Sequence, residues 1–305
     1  MSFNEGSQLD PTRVNDARGA GGGGGRPGLA IGGGVGGIIV LVLSIIFGPQ
    51  ALSGVVNGDP AQSTSEIQNT AGAEINSCTT GASANEREDC RILGTVQSLD
   101  SYWKDQGADS VRVQFQAPGV KIFSSGTNTA CGSATSAVGP FYCPGDSTIY
   151  IDPSFFAELT RNYGADDGAL AQEYVVAHEY GHHMQNLTGA IENSQRGSGS
   201  QGGSVRVELQ ADCYAGVWAN HASSTTDASG NRLIKQLTEQ DVDSALSAAA
   251  AVGDDHIQQK TTGRVSPESW SHGSSEQRKA WFMAGYESGD PGVCDTFQTD
   301  NLNTP

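Results

Sequence analysis

Val176-Ala177-His178-Glu179-Tyr180-Gly181-His182 is the stretch that decides how this chain reads. It lies in a run, residues 171–187, with apolar side chains at Val175, Val176, Ala177, Met184 and Leu187 and with Gly189 as a stop. That pattern predicts a helix. Residues four apart on a helix stand one above the other, so His178 and His182 project from one face. Two imidazoles so placed can ligate one Zn²⁺ through ring nitrogens, with Glu179 beside the open coordination position. A carboxylate there can take a proton from a water and return it to a leaving amine. Peptide-bond hydrolysis is the chemistry the pattern predicts. The plain alternative is a helix whose histidines are solvated or satisfied by the core.

A catalytic zinc site needs a third protein ligand. One common solution is a third histidine six residues after the second, but Thr188 stands there, and Gln185 stands where a glycine is expected midway. Val207-Glu208-Leu209-Gln210-Ala211-Asp212 offers a carboxylate instead. Glu208 and Asp212 share a helix face. Glu208 can complete the ligand set, and Asp212 can accept the N–H of a ligating histidine and fix its tautomer. A solvated acidic face is the competing account of this pair.

These segments carry a resemblance. His178-Glu179-Tyr180-Gly181-His182-His183-Met184-Gln185-Asn186 and Glu208-Leu209-Gln210-Ala211-Asp212-Cys213 resemble the bacterial neutral zinc metallopeptidases. That family is similar to the glutamate-zincins, of which thermolysin is the best-known member. Gly139-Pro140-Phe141-Tyr142-Cys143-Pro144 leading into Ile149-Tyr150-Ile151-Asp152 matches it too. So does His272-Gly273-Ser274-Ser275-Glu276-Gln277-Arg278 leading into Glu287-Ser288-Gly289-Asp290-Pro291. The resemblance implies an α+β, mostly helical, zincin-like domain, a Zn²⁺ cofactor and a peptide or protein substrate. It also implies a strand above the catalytic helix that pairs with substrate, and Ser147-Thr148-Ile149-Tyr150-Ile151 is the candidate edge. His272 becomes the candidate catalytic residue that hydrogen-bonds the developing oxyanion, with Tyr142 and Tyr150 as rivals. His183 points about 100° away from the ligand face. His221 and His256 read as surface residues. Asp254 and Asp255 fall in a family-like Gly253-Asp254-Asp255 turn and receive no further role.

Outward from this centre, the 305 residues divide by composition. Residues 1–28 are glycine-rich and read as a disordered cytoplasmic tail. Residues 29–50 read as a transmembrane helix, since 29–48 is an uncharged apolar run long enough to span a bilayer. A signal peptide fits poorly, because the run starts late and no A-x-A-like site follows. Residues 51–77 read as a polar stalk and 78–305 as the zincin-like domain. Arg13, Arg18 and Arg26 precede the run, and no Lys or Arg follows until Arg87. The expected topology is therefore single-pass in the cell membrane, N-terminus cytoplasmic, domain extracytoplasmic.

Six cysteines, none in a C-x-x-C pair, suit an oxidising compartment. Cys78 lies near Cys90 and Cys131 near Cys143, which leaves Cys213 and Cys294; the sequence leaves the connectivity open. A net charge of −17 with no basic cluster excludes a nucleic acid partner. Further helices are expected over residues 91–104, 204–221 and 238–252, and a Ser274/Gln277 capping box opens one more, to residue 287. The competing function class is a non-catalytic, membrane-tethered module that keeps zinc for structure. It would need a fourth protein ligand, and none is evident.

Overall fold

The computed structural model describes residues 2–18 and 74–305. The transmembrane helix expected over 29–50 and most of the stalk expected over 51–77 lie outside the described residues. Among the described residues, no helix is long and apolar enough to cross a membrane.

The main elements, in chain order, are β1 (Asn15–Asp16), α1 (Gly81–Glu86), α2 (Glu88–Tyr102), β2 (Gly119–Ile122), β3 (Gly126–Thr129), β4 (Gly132–Thr135), β5 (Phe141–Cys143), β6 (Thr148–Ile151), α3 (Ser154–Tyr163), α4 (Ala169–Thr188), α5 (Gly203–His221), α6 (Glu239–Ala251), α7 (Asp254–Thr262) and α8 (Ser275–Ser288). The fold is α+β and mostly helical. α4 is its axis, with α2, α5 and α6 packed around it. Its side chains are buried almost all round from Leu170 to Gln185, polar ones included. A helix so enclosed must find a partner for every polar group it carries.

Helix ends follow local chemistry. α4 stops at Gly189, whose φ of 76° places it in the left-handed region. α6 opens on a Thr238/Asp241 capping box and α8 on the expected Ser274/Gln277 box. Each box satisfies amide groups that the first turn leaves without partners.

The sheet corrects one expectation. Its strand order is β1-β2-β6-β5, with β1, β2 and β6 parallel and β5 antiparallel to β6. β6, the candidate edge, is paired on both sides, and among the described residues β1 and β5 are the outer strands. Strand propensity marks residues 147–151 as extended, but what pairs beside them is settled by distant segments.

The chain start corrects another. Residues 2–18, expected within a disordered tail, are packed: Phe3, Leu9 and Val14 are buried in the same core as α2, α4 and α5. Three apolar residues at irregular spacing carry no periodic signal. Their burial depends on a seat built by α1 and α2, far along the sequence. The domain also begins a little before residue 78, since Ile75 is buried in a short 3₁₀ turn, Ile75–Ser77. The cysteines pair as Cys78–Cys90, Cys131–Cys143 and Cys213–Cys294.

One buried group gives the fold a pH dependence. Glu173, on α4, is fully buried, and neither carboxylate oxygen has a hydrogen-bond partner among the described residues. Burial pushes its pKa up to about 7. In the unfolded chain it titrates near ~4.3. Between these values the folded protein holds the extra proton, so stability falls as pH rises through that window. Glu173→Gln removes the titration. Its advantage over the parent protein should grow with pH, to on the order of 1–3 kcal/mol near pH 8. Thermal melts of both proteins across this range check the expectation; parallel pH profiles would assign the effect to another group.

Candidate metal centre

α4 and α5 approach closely where the motif has its glycine. A Cβ on Gly181 would lie 3.0 Å from the Cα and carbonyl oxygen of Ala211. This contact brings the His178 and His182 face of α4 against Glu208 and Asp212 on α5. A second close crossing sets α8 on α5: a Cβ on Gly216 would lie 2.0 Å from the Phe282 carbonyl oxygen. It delivers Arg278 to Asp212.

The ligating atoms of His178, His182 and Glu208 all lie within 4.8 Å of one another. His178 Nε2 is 3.2 Å from Glu208 Oε2, and His182 Nε2 is 3.6 Å from Glu208 Oε1. Tetrahedral zinc with bonds of about 2.0–2.2 Å separates its ligand atoms by about 3.3–3.6 Å. Two imidazoles and one carboxylate at this spacing fit a zinc ion, and zinc favours such donors.

Both histidines are held by their other nitrogen. His178 Nδ1 is 2.8 Å from Asp212 Oδ1, and His182 Nδ1 is 2.8 Å from Gln185 Oε1. An N–H donated at Nδ1 leaves each Nε2 lone pair free for a metal. Asp212 is fully buried and also accepts from Tyr174 Oη and from Arg278 Nε and Nη2. Gln185 donates to the Val207 carbonyl and to Gln210 Oε1, and Gln210 donates to the Cys294 carbonyl. Gln185, Arg278 and Tyr174 were not picked out from sequence. Gln185 had a signal, lying one turn after His182 on the same helix. Arg278 had none, because its contact depends on how α8 crosses α5.

Charge in the site is strongly shaped by these contacts. Burial opposes a charged His178, yet Asp212 and Glu208 hold its pKa up to about 9. His182, buried and beside His178, is pushed down to about 4. Burial would raise the Glu208 pKa, but His182, His178 and His272 together hold it well below the usual carboxylate range. Burial, with a contribution from the Glu208 charge, pushes Glu179 up to about 7, while the Tyr142 backbone N–H donates to its carboxylate and partly offsets this. A base with a pKa near neutrality suits proton transfer at neutral pH. The Tyr142 contact also places outer strand β5 beside Glu179.

His272 is buried. Its Nδ1 is 3.2 Å from Asp254 Oδ1. Asp254 Oδ2 accepts the backbone N–H groups of Ser271, His272 and Gly273. Against the effect of burial, these contacts hold Asp254 below its ordinary pKa. His272 Nε2 is buried with no hydrogen-bond partner among the described residues. Asp255 ties the same region together by accepting from the Ser275 N–H and Oγ. Asp254 and Asp255 therefore anchor the His272 segment, a role the sequence left blank. The acceptors and donors are some 20 residues apart, as with Asp255 and Ser275, and only the turn between α7 and α8 joins them.

The remaining candidates are engaged elsewhere. Tyr142 Oη meets His183 Nδ1 and accepts from Asn186 Nδ2, and Tyr150 Oη donates to Asp146. His183 Nε2 bonds the Gln116 carbonyl, away from the ligand face as its helix position requires. His221, expected at the surface, is half-buried; it stacks on Tyr102 and bonds the Gly289 carbonyl. His256 is exposed.

A family model described as "Putative neutral zinc metallopeptidase" matches residues 3–297. Uncharacterized protein Rv2575 of Mycobacterium tuberculosis is 47% identical over 251 residues, covering 82% of this chain and 83% of its own length. Uncharacterized protein YpfJ of Escherichia coli K12 is 37% identical over 299 residues, covering 93% of this chain and 95% of its own length. No solved structure matches the chain.

Proposed function

The chain belongs to the neutral zinc metallopeptidase family, and on that basis we propose that it hydrolyses peptide bonds outside the cytoplasm, with Glu179 as general base. The observation that carries the reading is the convergence of His178 Nε2, His182 Nε2 and the Glu208 carboxylate beside the buried Glu179. Zinc held there supplies Lewis acidity, acidifying water and polarising a carbonyl. Glu179 takes the proton of the attacking water and hands it to the leaving amine. His272, backed by Asp254, presents Nε2 to the developing oxyanion. β5 offers the substrate a strand edge: it pairs only with β6 among the described strands. An extended peptide can add to that edge by main-chain hydrogen bonds. The three disulfides favour an oxidising compartment. A closed structural zinc site would need a fourth ligand, and the cluster among the described residues has three.

The test is a peptide-library assay on the purified full-length protein, with zinc measured in parallel. Cleavage should disappear on chelation and return with zinc. Glu208→Ala should lose bound zinc; equal zinc in parent and variant would sink the ligand assignment. A zinc-loaded parent that cuts no peptide would sink the peptidase reading and favour a zinc-holding module. His272→Ala should lower kcat by on the order of 10²–10³-fold, with zinc content and KM little changed. An unaltered kcat would remove His272 from the chemistry.

A further inference from the structure

We propose that residues 2–18 are a permanent arm of the metal-binding domain, seated by their own chain and lying on the same side of any membrane as the metal centre. The seat is built for them. Phe3 is completely buried and lies over Gly94 of α2, where a Cβ would come within 2.5 Å of its ring. At Gly81 of α1 a Cβ would lie 2.0 Å from the Asn4 carbonyl oxygen. Any larger side chain at either position would displace the arm.

Hydrogen bonds run the length of the contact. Asn85 clamps Phe3 from both sides, accepting its N–H and donating to its carbonyl. The Asn4 N–H donates to the Leu233 carbonyl, and the Lys235 N–H donates to the Ser2 carbonyl. The Leu9 N–H donates to the Thr79 carbonyl, and the Gln8 N–H donates to Asp227. β1 then extends the central sheet as its outer parallel strand. On the arm's side every one of these is a main-chain group, met by main chain at Thr79, Leu233 and Lys235 and by side chains at Asn85 and Asp227, and a buried main-chain group needs such a partner.

Ion pairs of two arginines complete the seat. Arg13 makes a two-pronged bond to Asp100 of α2, and Arg18 bonds Asp16 and Asp89. Asp100 also accepts from the hydroxyl of Tyr180, which lies between Glu179 and His182 on α4. The arm is thus two contacts from the helix that carries the metal ligands. Arg13 and Arg18 are also two of the three positive charges from which the orientation across a membrane was expected. In the folded protein both are committed to carboxylates, so they are not free charges that hold the chain start in the cytoplasm. The family match begins at Phe3, inside the arm.

The arm and its seat are joined by residues 19–73, which include the apolar run 29–48. A single crossing by that run would put the arm and the domain on opposite faces of a bilayer. Phe3, β1 and the two arginines would then have no seat, and Asp100 would lose its cation. The docked arm therefore favours a chain in which that run does not separate the two.

The experiment uses the full-length chain in intact cells. All six native cysteines are paired, so an introduced cysteine supplies a unique thiol. Asn15→Cys reports the arm and Lys279→Cys the domain; both positions are exposed. A membrane-impermeant maleimide should label both sites to the same extent, or label both only after permeabilisation. Labelling of one before permeabilisation and the other only after it overturns the proposal. Asn15 and Lys121 stand opposite each other in the β1–β2 pair. The Asn15→Cys, Lys121→Cys double variant, treated in cells with a short permeant bismaleimide, should give a link within one chain. A link between two chains overturns the own-chain assignment. The single variants carry the test if the double variant does not fold.

Discussion

Glu179→Gln should lower peptide hydrolysis by on the order of 10²–10⁴-fold while the bound zinc stays in place. The carboxylate is buried, and burial raises its pKa to about 7, so it can exchange a proton with water near neutral pH. Glutamine has the same shape, and its side-chain oxygen can still accept the Tyr142 backbone N–H. It cannot take up a proton. The proposed ligand atoms on His178, His182 and Glu208 are untouched by the change, so metal content separates loss of chemistry from loss of the site. Turnover of a library-derived peptide, with zinc measured on the same sample, decides the matter. Retained turnover at full zinc would mean that another group moves the proton.

Arg278→Met should be the most damaging change to the shell around the ligands. Asp212 has no solvent access and receives two bonds from this guanidinium, at 2.8 and 2.9 Å. Without Arg278 a buried carboxylate is left uncompensated, which costs roughly 3–5 kcal/mol. His178 then loses a firmly held partner at Nδ1, and zinc affinity should fall by ~10–100-fold. Adding Asp212→Asn removes the orphaned charge, so the double variant should recover part of the lost stability. The zinc defect should remain, because an amide is a poorer acceptor for the His178 N–H. Denaturation midpoints and zinc competition titrations read the two effects separately. Strict additivity in stability would show that the two side chains are not coupled.

Much of the centre was legible because it depends on local spacing. His178, Glu179 and His182 lie within two turns of one helix, and helix geometry alone puts the two histidines on a common face. Glu208 and Asp212 are likewise one turn apart, and the structure sets both against α4, Glu208 beside His178 Nε2 and Asp212 beside His178 Nδ1. The capping boxes at Thr238 and Ser274 are local as well: side chain and amide are three residues apart, and no distant partner can change that geometry.

What the sequence determined by itself was the chemistry available: the donor set and the helices that carry it. What tertiary structure alone decided was which groups meet across long separations. Arg278 reaches Asp212 because glycines let α5 and α8 cross with their backbones almost touching. Asp254 holds His272 because the turn between α7 and α8 folds back on the start of α7. β5 rather than β6 is an outer strand among the described residues, because β2 arrives from earlier in the chain to cover β6. The arm at residues 2–18 is the extreme case. Its three buried apolar residues have no period, and only a seat formed some 80 residues later, with Asn85 clamping Phe3 across a separation of 82, gives them a place. Periodicity and spacing record a residue's neighbours along the chain, whereas burial and ion pairing depend on its neighbours in space.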